Sequence, residues 1–221
     1  MTAVKMCGLS RKCDIQAVND IIPEYIGFVF WAKSKRYISP EKALELKQLL
    51  DENIKAVGVF VDEDVEKVAE LLENNVIDIA QLHGSETEDY INKLRSMTKK
   101  PVIKAFRITS TNDVEKAVNS TADMILLDAG MGDGKIFDWS LLRDIKRPYF
   151  LAGGLNCENI ADAVRNIKPY GVDVSSGIET DGLKDIKKMS VFARTVRKED
   201  NIGQIRKEDS AYTAGSISPK L

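Results

Sequence analysis

The sequence contains very little histidine and cysteine. Its 221 residues include one histidine, His83, and three cysteines, Cys7, Cys13 and Cys157. No Cys-x-x-Cys pair occurs, and these four side chains do not have a spacing that is typical of a zinc site. Three scattered cysteines are too few for a disulfide framework, and an odd number is typical of free thiols in the cytosol. We therefore expect neither a structural metal nor a disulfide scaffold.

The sequence also lacks a charge excess and long apolar segments. Its 32 basic and 34 acidic residues give a formal net charge of -2, so we do not expect the basic surface that nucleic-acid binding requires. No apolar run is long enough to span a bilayer, and the first residues do not have the pattern of a secretory signal. These absences predict a cytoplasmic protein that binds neither nucleic acid nor membrane. They leave its oligomeric state open.

What the sequence does contain is a regular alternation of short apolar runs and longer amphipathic segments. The segment that begins at Ser39 shows a typical helix start, because a capping serine is followed by Pro40. Eight strands are predicted, at residues 3–6, 25–30, 55–61, 79–82, 102–106, 124–128, 149–153 and 171–174. The predicted helices occupy residues 14–22, 39–50, 62–75, 87–97, 110–120, 138–145, 156–167 and 183–198.

This alternation predicts the fold class. Strands that alternate with helices pair in parallel through right-handed crossovers, and eight such units favour closure into a barrel. We predict an α/β protein, a single-domain (β/α)8 TIM barrel, over residues 1–199. The alternative is an open flavodoxin-like or Rossmann sheet, although no G-x-G-x-x-G follows the first strand. Residues 200–221 show no sustained hydrophobic period, so we expect a polar, poorly ordered C-terminal tail; a docked strand or a remnant of a longer fusion are the alternatives.

Candidate catalytic residues follow from this fold, because active sites of such barrels lie at the carboxyl ends of the strands. Cys7 ends the first apolar run, where its thiol could reach the barrel mouth and Gly8 would admit a substrate; a small buried hydrophobic role is equally open. Asp128 ends the run MILLD, and a carboxyl there suits a general acid or a cap for the next loop. Arg36 could bind a carboxylate or belong to a solvated basic loop.

The clearest physical signal is an anion site after the last two strands. Gly153 and Gly154 follow the seventh strand, and Ser175, Ser176 and Gly177 follow the eighth. Small residues leave backbone N–H groups exposed, and a short helix that begins near Ser176 would point its positive end at the same place. The alternative is that both segments are only tight turns. Because they occur together at these two positions, we expect a bound phosphate.

Six sequence segments, which contain the candidate residues named above, together closely resemble one enzyme family. The segments, in chain order, are KMCGLS, SKRYISP, QLHG, LLDAGMGDGKIFDW, LAGGLNCENI and GVDVSSGIE. They resemble phosphoribosylanthranilate isomerase, and the resemblance runs from about Lys5 to Arg197. It implies a (β/α)8 barrel that uses no cofactor and no metal. The implied reaction is an Amadori rearrangement in tryptophan biosynthesis, from N-(5-phosphoribosyl)anthranilate to 1-(2-carboxyphenylamino)-1-deoxyribulose 5-phosphate.

The resemblance also implies a role for each candidate residue. Cys7 corresponds to the general base, Asp128 to the general acid and Arg36 to the residue that binds the anthranilate carboxylate. Because a free Cys has a pKa of about 8.5 and a free Asp about 3.9, the site is expected to move both values toward neutrality. His83 corresponds to a supporting position. The phosphate site corresponds to Gly153, Gly154, Ser175, Ser176 and Gly177.

Two departures from the family pattern and three competing functions accompany this interpretation. Lys35 stands where the family often has a proline, and Asp133 adds a negative charge to the glycine loop after strand six.

The competing functions are a histidine-pathway ProFAR isomerase, a Schiff-base lyase that uses Lys104, and a noncatalytic phosphate-binding barrel. The first normally pairs two aspartates and shows a half-barrel repeat, and Cys7 takes the place of one acid here.

Overall fold

The structure is a computed structural model that describes residues 1–128, 139–142 and 145–215, with the backbone alone for residues 139–140 and 204–215. Eight parallel strands follow one another around a closed barrel, so that each strand pairs with its neighbours in the sequence and β8 pairs with β1. The predicted TIM barrel is therefore confirmed. The strands are β1 (Ala3–Cys7), β2 (Tyr25–Val29), β3 (Lys55–Phe60), β4 (Ile79–Leu82), β5 (Val102–Arg107), β6 (Met124–Asp128), β7 (Tyr149–Ala152) and β8 (Gly171–Val174).

Seven described helices cover the outside of this barrel. Sequence signals explain where several of them begin: the Ser39 hydroxyl accepts a hydrogen bond from the Lys42 N–H, and Pro40 occupies the first turn. Ser110 and Asp113 form a reciprocal capping box at the start of another helix. The helices are α1 (Lys12–Ile21), α2 (Pro40–Lys47), α3 (Val65–Glu73), α4 (Glu88–Met97), α5 (Thr111–Asn119), α6 (Ile160–Ile167) and α7 (Ile186–Gly215).

Alternation of side chains along the strands divides the buried residues into an interior and an outer layer. The interior layer is small and apolar, with Val57, Ile103 and Leu126 among its members. At the amino ends of the strands, the Phe150 ring makes edge-on contacts with Tyr25 and Tyr170, with centroids 5.4 Å apart in both pairs. These rings fill the bottom of the barrel, and its open end lies at the carboxyl ends of the strands.

Two predictions about secondary structure were wrong. Residues 138–145 were expected to form an α-helix, but the described part of that segment is the four-residue 3₁₀ helix Trp139–Leu142. The Ile145 N–H donates to the Leu142 carbonyl at 3.5 Å, an i→i+3 spacing like that of the tighter 3₁₀ turn. The helix expected from residue 183 begins at Ile186, because the chain first forms a hairpin from β9 (Glu179–Thr180) and β10 (Leu183–Lys184).

The C-terminal end of the described chain is helical in its backbone as far as Gly215. The Asp200 carboxylate accepts hydrogen bonds from the Thr2 N–H and hydroxyl at 2.6 and 2.8 Å, so the middle of α7 contacts the residue that precedes β1. The division into a barrel of residues 1–199 and a polar tail of residues 200–221 stays a prediction. None of the helices in the described ranges combines the length and the apolar character that crossing a bilayer requires.

Candidate active site

The predicted site residues meet in one cavity at the open end of the barrel. The cavity has a volume of about 630 Å³ and lies at the carboxyl ends of the strands, as expected for this fold. A second cavity of about 420 Å³ lies at the opposite end, beside Met1 and the end of α6, and contains none of the predicted residues. The predicted residues that line the first cavity are Cys7, Arg36, Asp128, Gly153, Gly154, Ser175 and Ser176.

Cys7 is the last residue of β1 and is both buried and part of the cavity wall. It is 7% exposed and packs against Val29 and Val59. Gly27, on the neighbouring strand, makes this possible, because a Cβ there would lie 2.7 Å from the Cys7 sulfur. The structure thus places Cys7 at the barrel mouth and also buries most of it, and the choice between a reactive and a packing role stays a prediction.

Charged side chains lie directly below and beside the thiol. The Lys5 Nζ contacts the Asp173 Oδ1 at 3.0 Å, and the lysine is fully buried. Burial raises the pKa of Cys7, the positive charges of Lys5 and Lys184 oppose that rise, and Asp173 adds to it. The pKa of Cys7 is raised overall, opposite to the expectation from the sequence. The free-energy cost of removing a thiolate from water is larger than the stabilisation that these cations provide.

Arg36 is held by a carboxylate of the same chain. Its Nε and Nη2 donate to Glu179 Oε1 and Oε2 at 2.6 and 2.8 Å, and the Lys184 Nζ donates to the same Oε1 at 2.6 Å. Burial alone would raise the pKa of Glu179, but these hydrogen bonds and positive charges lower it to about 2. Arg36 is therefore not a solvated loop residue, since a bidentate contact fixes its guanidinium at the cavity wall.

Gly8 packs closely against Arg36. Its φ of 80° lies in the left-handed region, and a Cβ would stand 2.5 Å from the Arg36 Cδ. A side chain at this position would therefore displace Arg36 from the cavity wall. That Gly8 also makes room for the substrate stays a prediction.

Asp128 stands at the end of a chain of polar contacts. Its Oδ2 lies 3.3 Å from the His83 Nε2, and the His83 Nδ1 lies 3.0 Å from the Gln81 Nε2. These two contacts hold the imidazole between the Gln81 amide and the Asp128 carboxyl, and the tautomer decides which ring nitrogen donates. His83 thus lies directly against Asp128, at the supporting position that the family resemblance implies.

The loops after β7 and β8 form a rim with exposed backbone. Gly153 and Gly154 have φ values of 92° and 65°, which glycine adopts readily. After β8, the Ile178 and Glu179 N–H groups donate to the Ser175 and Ser176 carbonyls at 3.4 and 3.0 Å. The first N–H groups of such a turn have no partner within it, so they are available to an anion.

The expected short helix near Ser176 does not form. The chain makes the turn just described and then enters β9, because Gly177 forms a bridge with Asn156. A Cβ at Gly177 would stand 1.9 Å from the Leu155 carbonyl oxygen, and this residue is not part of the cavity lining. Gly177 thus brings the two loops together rather than contacting the cavity.

Comparison with known proteins identifies the family. A family model described as N-(5'phosphoribosyl)anthranilate (PRA) isomerase matches residues 4–195. The chain belongs to the phosphoribosylanthranilate isomerase family. A curated N-(5'-phosphoribosyl)anthranilate isomerase of Thermoanaerobacter sp. (strain X514) is 48% identical over 204 residues, which are 89% of this chain and 98% of that protein. One of Endomicrobium trichonymphae is 45% identical over 202 residues, 89% of this chain and 99% of that protein.

Solved structures agree with this assignment. The crystal structure of phosphoribosyl anthranilate isomerase from Thermotoga maritima has a TM-score of 0.82 and 38% identity, and covers 90% of this chain and 100% of that one. A second structure of the isomerase, in complex with reduced 1-(o-carboxyphenylamino)-1-deoxyribulose 5-phosphate, has a TM-score of 0.80 and 37% identity at the same coverage. The predicted function is confirmed: this isomerase acts on a phosphorylated small molecule in tryptophan biosynthesis.

One of the competing functions depended on Lys104, and the structure argues against it. The Lys104 Nζ donates to the Gly84 carbonyl and the Glu86 carboxylate, both at 2.8 Å. This lysine is buried outside the barrel wall and does not line the cavity of the isomerase. A Schiff base at Lys104 would therefore need a substrate that reaches behind the sheet.

Several polar residues of the site were missed from the sequence. Lys5 and Asp173 interrupt otherwise apolar strands at inward-facing positions, which was a signal that could have identified them. Gln81 offered a similar signal in β4. Glu179 and Lys184 offered none, because the hairpin that carries them was not predicted. The glycine loop after Asp128, including Asp133, lies outside the described residues.

Proposed function

We propose that Cys7 is the general base and Asp128 the general acid of the rearrangement. The observation that carries this proposal is that a thiol and a carboxyl from two strands of the barrel line the same cavity. Both groups are thus available to one bound substrate, on different sides of it. General acid and base groups must reach the atoms between which the proton moves.

The reaction then has two proton transfers. The protonated Asp128 carboxyl donates its proton to the ring oxygen of the ribose, and the ring opens to a Schiff base. The Cys7 thiolate removes the proton from C2′, and the electron pair moves to form the enolamine, which tautomerises to the aminoketone. Because the pKa of Cys7 is raised by burial, the base step draws on a minor thiolate fraction at neutral pH.

The substrate phosphate would bind at the rim of the barrel. The N–H groups of Gly153, Gly154 and Ser176 and the Ser176 hydroxyl suit the oxygens of a phosphate. The Ser175 hydroxyl donates to the Cys7 carbonyl at 3.1 Å, so Ser175 supports this site by fixing the loop after β8. Gly177 supports this site by holding the two loops close to each other. An anion at this place is the arrangement common to barrels that bind phosphorylated sugars.

The anthranilate carboxylate would bind Arg36. A guanidinium has five N–H donors, and Glu179 accepts two of them, so three N–H groups can serve a substrate. Glu179 fixes the plane of the guanidinium, which lowers the entropy cost of binding. We also propose the cytoplasm as the location, since all three cysteines are free thiols.

Substitution of the two reactive groups tests their roles. Cys7→Ala and Asp128→Asn should each lower kcat by about 10²- to 10⁴-fold, with KM less affected, because each removes a proton-transfer group. Turnover is measured by the loss of substrate fluorescence with freshly prepared phosphoribosylanthranilate. Cys13→Ala and Cys157→Ala are matched controls, because neither thiol lines the cavity. Full turnover by Cys7→Ala or Asp128→Asn would remove that residue from its role.

A further inference from the structure

Two buried lysines lie in the barrel wall, and they differ in the direction they face. Lys104 lies between the inward-facing Ile103 and Ala105 and so points away from the cavity. Lys5 lies two residues before Cys7 on β1, so both side chains point into the barrel. The reaction as described above uses neither of them. Lys5 is therefore a fully buried positive charge directly below the proposed base.

The contact of Lys5 with Asp173 fixes this charge in place. The two residues are register partners on adjacent strands, and their side chains meet at 3.0 Å. An ammonium has three N–H donors, and Asp173 accepts one of them. A buried ion pair adds little stability compared with apolar side chains of the same size. Its position beneath Cys7 thus calls for a reason other than stability.

We propose that Lys5 is a positioning residue for Cys7: its ammonium, anchored by Asp173, balances the negative charge on the Cys7 sulfur when the thiol acts as a base. The thiol proton leaves to water at the cavity mouth, and the charge that remains lies beside the ammonium. This inference rests on the proposed role of Cys7. It extends that role by naming the group that makes the thiolate accessible.

Few charged side chains other than Lys5 lie close enough to Cys7 to affect the charge on its sulfur. The neighbouring strands β2 and β3 present only the uncharged Gly27, Val29 and Val59 toward the thiol. On the other side, the charge of Lys184 also favours the thiolate, while that of Asp173 opposes it.

All three nearby cations are paired with carboxylates. Lys184 and Arg36 both donate to Glu179, and Lys5 donates to Asp173, so pairing does not distinguish them and position does. Lys5 is the cation that shares a strand face with the sulfur. The opposite effects of Lys5 and Asp173 on the pKa of Cys7 provide two substitutions with opposite expected results.

The test measures the thiolate directly. In a Cys13→Ala/Cys157→Ala background only Cys7 reacts, and the rate of its alkylation by iodoacetamide is followed against pH. Lys5→Met should move the midpoint of this profile to higher pH and slow alkylation at pH 7 by about tenfold or more, since one pKa unit is tenfold in thiolate. The acidic limb of the kcat profile should move by the same amount, with KM little changed.

Lys104→Met is the matched control. It also breaks a buried Lys–carboxylate pair, here with Glu86 at 2.8 Å, and so carries a similar cost in folding stability. Its alkylation midpoint should equal that of the background protein. An equal shift in both variants would show a general effect of destabilisation and would overturn the proposal. An unchanged midpoint in Lys5→Met would also overturn it.

If Lys5→Met does not fold, Asp173→Asn provides an independent test of the proposal. Removal of this negative charge should move the alkylation midpoint to lower pH, and no shift or a shift upward would contradict the proposal. Failure of the base role itself has a different signature. In that case Cys7→Ala retains turnover, although Lys5→Met still moves the alkylation profile.

Discussion

The two walls of the cavity surround their reactive groups in different ways. On the wall of the proposed base, called here the base wall, Cys7 is almost fully buried and lies among the charges of Lys5, Asp173 and Lys184. On the wall of the proposed acid, the acid wall, Asp128 is 27% exposed in its side chain and contacts the His83 imidazole, which also contacts Gln81. Fixed charges thus surround the thiol, whereas a directed contact orients the carboxyl, beside Arg107 on the neighbouring strand.

This difference matches what each of the two proposed proton transfers needs. The thiol must gain a negative charge before it can act, and nearby cations favour a charge at any orientation. The carboxyl must deliver a proton to one atom, and a hydrogen bond to Oδ2 keeps the group in one orientation. Substitutions on the two walls should therefore differ in which limb of the pH profile they change.

Among the residues that support the two reactive groups, the largest effect is expected from His83→Phe on the acid wall. It removes the imidazole that contacts the Asp128 carboxyl, and a hydrogen bond to a charged group contributes about 1.5–3 kcal/mol, or about 10- to 100-fold in kcat. The alkaline limb should move to higher pH, because a carboxylate that loses a donor is less favoured. Steady-state kinetics against pH measures both.

Two controls for His83→Phe follow from the comparison of the walls: a substitution of Gln81 on the acid wall and the alkylation of Cys7 on the base wall. Gln81→Leu keeps the imidazole but removes the amide that contacts its Nδ1 at 3.0 Å, so it should cause a smaller loss of kcat than His83→Phe. Neither variant should change the pH dependence of Cys7 alkylation. A shift of that profile in His83→Phe would mean that the two walls are electrostatically coupled and that the distinction drawn here is wrong.

The strands and the residues at their carboxyl ends could be predicted, because both depend on local sequence. An apolar run such as MILLD indicates a strand, and its last residue faces the mouth by the rule for parallel barrels. The predicted bounds of β4, β6 and β8 agree with the structure to the residue. The family resemblance then supplied the roles of the residues at those ends.

The charges of the base wall could not be predicted, because their partners are distant in sequence. Lys5 and Asp173 are 168 residues apart, and Arg36 and Glu179 are 143 apart. The hairpin that carries Glu179 has strands of only two residues, too short to show a period. A turn that supports an ion pair therefore left no pattern in the sequence.

A smaller effect is expected from Arg36→Lys beside the base wall. A lysine cannot contact two carboxylates in the bidentate way of a guanidinium, so KM should rise about tenfold with kcat little changed. Lys35→Ala changes an exposed charge on the same loop and should leave KM unchanged. If Arg36→Lys lowers kcat instead of raising KM, Arg36 acts on the reacting atoms and not on the substrate carboxylate.

The smallest effect is one on stability, and it concerns Glu179. Contacts with Arg36 and Lys184 lower its pKa from 4.5 to about 2, so the folded protein binds this proton less readily than the unfolded chain. The resulting stability is complete above pH 4.5 and is lost as the pH falls toward 2. Glu179→Gln should remove this contribution to the pH dependence of the free energy of unfolding. Urea unfolding at several pH values measures that dependence.

Glu70→Gln, at an exposed position on α3, is the control and should keep the pH dependence of the wild-type protein. If Glu179→Gln unfolds with the same pH dependence as the wild type, the carboxylate is not held by these two cations, and Arg36 must owe its orientation to the packing over Gly8 alone.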